Sequence, residues 1–130
     1  MADFTDHGAL ESLQWILAQA SPVAPVELYV QLHVGDPGAD GLGNPAANTE
    51  RMLISFGAAA NANTDGRAQA SSDANVSWPS VPADETYSHI SIWDAVTAGN
   101  AWYKDAMLAP VPVTTGGAFV FPIGQTIDHV

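Results

Sequence analysis

The sequence contains no cysteine, which removes a disulfide framework, a thiolate metal site and a cysteine nucleophile together. Basic side chains are nearly as scarce. Only 3 Lys plus Arg stand against 14 Asp plus Glu, a formal net charge of -11. Such a surface repels nucleic-acid phosphate and anionic membranes, so no nucleic acid and no membrane is expected as a partner. No apolar run approaches the ~20 residues that cross a bilayer. The first residues also lack the basic flank and apolar stretch of a signal peptide, so the expectation is a chain made in the cytoplasm.

What is present suffices for one core. The chain has 130 residues, 47% hydrophobic and 13% charged, which fits a single domain 1–130 and leaves little for a second. Its 22 Ala, 11 Gly and 9 Pro come with 10 Asp against 4 Glu. Asp, Gly and Pro favour turns and caps over helix interiors, so most of the chain is expected as strands joined by tight turns.

Residues 1–21 read as an N-terminal helical segment. Thr5 or Asp6 caps it, and Ala9, Leu10, Leu13, Ile16, Leu17 and Ala20 recur at the spacing of one apolar face. Ser21-Pro22 stops it. Leu10, Leu13 and Leu17 share one side, which leaves Trp15 nearly opposite, on the outer face. With Phe4, at a similar azimuth if the helix reaches back that far, Trp15 is the candidate partner contact.

Residues 25–130 read as a β-sandwich. Leu28, Val30, Leu32 and Val34 alternate with Tyr29, Gln31 and His33, as in a half-buried strand. A long loop follows over 35–48, then a strand over 52–56. Residues 57–75 look like a loop with at most a short strand at 67–70. Further strands are expected over 76–78, 87–94, 101–108, 111–114, 118–121 and 126–130. In the 87–93 run the alternation places Ser88, Ile90 and Ile92 on one face and Tyr87, His89, Ser91 and Trp93 on the other. Ala98-Gly99-Asn100 and Thr115-Gly116-Gly117 are the hairpin turns. Seven or eight short antiparallel strands with one N-terminal α-helix make a mainly β fold.

Few residues suggest chemistry. His33 lies near Asp36, and His89 sits between Ser88 and Asp94, but no nucleophile elbow accompanies either. The loop from Asp36 through Asp40 to Asn44 gathers oxygen ligands, yet its spacing fails the calcium-loop pattern and turn chemistry explains it. Zinc lacks ligands at short spacing. Asp84, Glu85, Asp94 and Asp105 show no convergence of the kind glycoside hydrolysis requires. No catalytic residue, cofactor or metal site is assigned. Trp78, Trp93 and Trp102 lie in the strand-rich half; as aromatic faces they are candidates for stacking on a sugar, with core packing as the default.

Several segments taken in order resemble a family of small tailed-phage virion proteins. They are Leu28-Tyr-Val-Gln-Leu-His-Val-Gly-Asp-Pro-Gly-Ala-Asp-Gly41, Ser55-Phe-Gly-Ala58, and His89-Ile-Ser-Ile-Trp-Asp-Ala95 with Gly99-Asn100. Ala101-Trp-Tyr103, Gly117 and the 119–124 stretch complete the set. Members are described variously as head-decoration, minor tail or tail-fibre proteins. The chain departs from the family's aromatic-basic pair before the second strand, where it has Glu50-Arg51-Met52. The resemblance implies a non-enzymatic virion protein. The leading expectation is a head-decoration (minor capsid) protein that binds and stabilises the shell. The alternatives are a tail-fibre or minor tail component, and a carbohydrate-binding host-adhesion module. The expected partners are the major capsid protein lattice or tail proteins, with a homo-oligomer, trimer favoured, on the head surface.

Overall fold

A computed structural model describes residues 3–61 and 67–129. Val130 and the middle of the 57–75 stretch lie outside the described residues. The fold is mainly β with one helix. In chain order the elements are β1 (Asp3–Phe4), α1 (Asp6–Ile16), β2 (Leu28–His33), β3 (Met52–Ile54), β4 (Ala60–Asn61) and β5 (Ala68–Ser71). Then come β6 (Val76–Trp78), β7 (Glu85–Trp93), β8 (Ala101–Val113), β9 (Phe119–Phe121) and β10 (Thr126–His129).

A five-stranded antiparallel sheet in the order β1-β8-β7-β2-β3 forms one layer. The other side is built from the β6-β9 ribbon and the three-stranded β10-β5-β4 sheet. Val30, Leu32, Ile54, Ile90 and Ile92 from the first layer meet Val76, Trp78, Phe119 and Phe121 from the ribbon in one buried cluster. The tilted contact of Trp78 with Phe119, at 5.6 Å between ring centres, joins the two strands of the ribbon inside that cluster.

Three expectations need correction besides the turn at Thr115-Gly116-Gly117, which closes no hairpin but carries the chain from β8 to β9, a strand paired with β6 in the other layer. The strands anticipated over 101–108 and 111–114 are one strand, β8. Among the described residues no strand pairs with Pro110 or Pro112 on the β1 side of β8, the edge position that proline tolerates. Second, Tyr87 lies in the core against Phe119, at 5.1 Å between ring centres. The β7–β8 register shifts between Tyr87 and His89, where residues 107–110 stand opposite Ser88 alone. That irregularity breaks the simple alternation.

The third correction concerns α1, which lies with its apolar stripe outward. Gly8 is the buried residue of the helix, and a methyl group there would strike the Trp102 carbonyl of β8. The side toward the sheet is therefore small and polar, Gly8 with half-buried Glu11 and Ser12. Thr5 caps the helix, its Oγ1 accepting from Gly8 N–H at 3.3 Å and donating to the Ala101 carbonyl. The helix ends before Ser21-Pro22. Ala18 takes a left-handed φ of 57°, and Gln19 N–H reaches back to the Gln14 carbonyl at 2.8 Å.

Candidate interaction surfaces

The face of the five-stranded sheet away from the core carries a second, polar packing layer. On β2 both faces are buried: Val30 and Leu32 point to the core, Gln31 and His33 to this layer. His33 Nδ1 lies 2.8 Å from the Gly43 carbonyl, an acceptor only, so Nδ1 carries the proton. Nε2, 2.7 Å from Ser91 Oγ, then accepts the serine proton. Ser91 Oγ in turn accepts from Trp93 Nε1 at 2.7 Å. Burial holds the imidazole below the ordinary histidine range, outweighing the carbonyls of Gly43 and Asn44.

Arg51 closes this layer. Its guanidinium sits 3.6 Å above the Trp93 ring and donates to Gln31 Oε1 and to the carbonyls of Ala95 and Ala98. The residue nearest the departed family pair thus finds its aromatic partner on β7.

This geometry decides the catalytic readings. Ser91 and His33 form a hydrogen-bonded pair, but both are fully buried and the third member is a backbone carbonyl rather than a carboxylate. No substrate reaches them. Asp36, the sequence neighbour of His33, instead accepts from Lys104 Nζ and from Gly38 N–H, each at 2.8 Å. Those contacts hold its carboxyl below the usual range. Asp40 accepts from Leu42 N–H at 2.9 Å, so both loop acids serve turns. Among the described residues there is no group of three or more His, Cys, Asp or Glu placed to hold a metal.

The remaining acids hold loops. Asp84 accepts from the Thr115 N–H and hydroxyl, which lowers its pKa. Glu85 accepts from the N–H groups of Ala47 and Asn48. Burial by itself would raise the Asp94 carboxyl. Hydrogen bonds from the Asn100 backbone, the Trp102 ring and the Asn100 amide hold it low instead. These contacts tie Asp84, Glu85 and Asp94 to separate loops, whereas Asp105 lines a small pocket of about 140 Å³ with Asp3, Asp36, His89 and Lys104, where Lys104 pairs with Asp36.

The three candidate stacking tryptophans divide. Trp78 is 0% exposed and Trp93 3%, so neither offers a ring face to a sugar. Trp78 Nε1 is taken by the Glu50 carbonyl, and Arg51 covers Trp93. Trp102 is half-buried, bonded through Nε1 to Asp94 and met edge-on by His7 at 4.8 Å.

The candidate partner contacts also separate. Phe4 precedes the cap, in β1, and stacks on Tyr103 at 4.8 Å between ring centres. It does not share a helix face with Trp15. Trp15 is 65% exposed, two turns beyond Gly8 and so about 10 Å past the helix–sheet contact. The larger outward surface is one the periodicity assigned to the interior. Leu10, Leu13, Ile16 and Leu17 are each more than half exposed. Nothing local distinguishes such a stripe from a core-facing one; the only signal is that Gly8 and Ser12 mark the opposite side for close approach to a sheet.

A second apolar feature is a cavity of about 430 Å³ between the middle of β8 and the β9–β10 end, walled by Ile54, Ile90, Ile92, Phe119 and Phe121. Leu108 stands fully exposed on its β8 wall.

Residues 3–127 match the family model described as "Podophage GP4 fiber I protein gp80". No curated protein matches the chain.

Proposed function

The chain belongs to that podophage fibre family, and on this premise we propose that it is a fibre component carried by the tail of the virion. It is a phage structural protein of a fibre-related family. The observation that carries the proposal is the extent of the match, 3–127, which takes in the helix, both sheets and the polar layer alike. The word fibre in the family's description favours the tail alternative over shell decoration, the leading expectation from sequence. The physical features agree with a building block. The His33–Ser91 pair is sealed, the half-buried His89 meets its neighbour Ser88 at 2.8 Å through Nδ1, the loop acids are spent on backbone donors and on Lys104, and the apolar side chains of the helix face solvent.

Immunogold labelling of intact virions with an antibody to this chain tests the reading, followed by a cryo-EM reconstruction. Label and density at the tail are expected. Density at capsomer symmetry axes on the head would overturn the fibre reading and restore decoration. Virions lacking the chain are expected to keep stable heads but to lose host attachment.

A further inference from the structure

We propose that the outward stripe of α1 is a self-association surface, packed in the assembled protein against the same helix of a second copy of this chain. The helix has little holding it otherwise. Gly8 is its buried residue, and an isolated helix of 11 residues is marginal in water. Its stability calls for a covering partner on the side that the sheet does not reach.

The stripe has the area for one. Leu10, Leu13, Ile16 and Leu17 fall within an arc of about 120°. Val23 and Val26 follow at 88% and 97% exposure. The six side chains present roughly 600 Å² of apolar surface. That is at the upper limit of what a monomer leaves exposed and approaches the ~800 Å² per partner of a stable interface.

Charge identifies the partner. No ionisable side chain occurs between Ser12 and Val26, in a chain of net charge -11. Asp6, exposed one turn before Leu10, lies within the same arc, so an antiparallel pairing that sets it beyond the neutral 12–26 stretch of the other copy brings two copies together without opposing carboxylates. A basic partner would find nothing to pair with along that stretch. A membrane surface is disfavoured too, because interfacial helices carry Lys or Arg on their polar face and α1 has none. Leu10, Leu13 and Leu17 also repeat at the three-four spacing of a coiled-coil seam, which is self-complementary across a symmetry axis.

The inference goes beyond the fibre reading and does not depend on it. It is tested on the full chain by sedimentation equilibrium up to about 50 µM. The wild-type chain is expected to be a dimer or trimer. Leu13→Asp with Leu17→Asp is expected to weaken association at least about 100-fold, while the near-UV signal of the buried Trp78 and Trp93 shows that the β core is still folded. Leu108→Asp, on β8 away from the stripe, is expected to associate like the wild type. A monomeric wild-type chain would overturn the proposal. So would a double variant that still associates, loss of association in Leu108→Asp alone, or a wild-type monomer that cosediments with phosphatidylglycerol vesicles.

Discussion

His33 Nε2 accepts the Ser91 hydroxyl proton across 2.7 Å while Trp93 Nε1 donates to the same oxygen, so one serine links a buried imidazole to a buried indole. The link requires a neutral ring. Burial, with His89 and Arg51 nearby, pushes the His33 pKa down from 6.5, and the carbonyls of Gly43 and Asn44 oppose this only in part. Above about pH 6.5 both folded and unfolded chains hold the ring neutral, and the network contributes fully. As pH falls below that value the unfolded chain takes up a proton that the folded ring refuses, so stability falls toward acid. Urea midpoints measured at about pH 7.5 and pH 5 should fall more for the wild type than for His33→Gln. Equal falls would remove His33 as the source.

Arg51 holds four groups at once: Gln31 Oε1, the carbonyls of Ala95 and Ala98, and the Trp93 ring face. A planar fork is needed to reach two carbonyls and an amide oxygen while lying flat on an indole. Lysine keeps the charge and loses that geometry. Arg51→Lys is expected to cost about 1–3 kcal/mol, read from denaturant midpoints at neutral pH. A variant within about 0.5 kcal/mol of wild type would show that only charge matters here.

The same residues show how far the sequence could be read. The period of two over 28–33 and the glycine turn at 98–100 mark a strand and the β7–β8 hairpin correctly, because both signals are local; the turn at 115–117 is equally local, but it leads from β8 to β9 in another sheet, which no local signal reveals. The family resemblance likewise rested on short segments along one chain. The polar layer was not legible, since His33 meets Ser91 across 58 positions and Arg51 meets Ala98 across 47. Nothing within β2 announces that its polar side is buried as well. Alternation alone puts Tyr87 on the wrong face, because the register shift depends on β8 and not on its own strand. The periodicity of α1 marks the stripe but points it inward, because a period reports that a face is apolar and not what covers it.

Gly8 sets how closely α1 approaches β8. An added Cβ would meet the Trp102 carbonyl and lie 2.8 Å from the Phe4 ring, and the carbonyl, being backbone, has little room to yield. Alanine is the better helix former, so propensity alone predicts a gain of about 1 kcal/mol. The clash outweighs it. Gly8→Ala is expected to lower stability by about 1–3 kcal/mol and to weaken the Thr5 cap, seen as faster amide exchange at Gly8 and Ala9. A stabilised variant would mean that the helix can lift from the sheet without loss.

Ala98 offers the opposite case, a position where the natural residue is the poorer choice. It sits in the β7–β8 turn with φ at 52°, directly before Gly99 at 72°. A left-handed conformation costs a non-glycine residue about 1–2 kcal/mol, and Ala98 is exposed, so no packing of its methyl offsets the strain. Only its carbonyl has a role, accepting from Arg51 at 2.7 Å, and glycine or asparagine keeps that carbonyl. Asparagine also tolerates positive φ with less loss of chain entropy than glycine. Ala98→Asn is therefore expected to raise stability by about 0.5–1 kcal/mol and to leave the Arg51 contacts intact. Thermal melting of Ala98→Asn beside Ala98→Val checks this, because the β-branched residue should lower the midpoint in the same turn. If both substitutions lowered it, the turn would owe its form to the Asp94 and Arg51 contacts rather than to backbone preference.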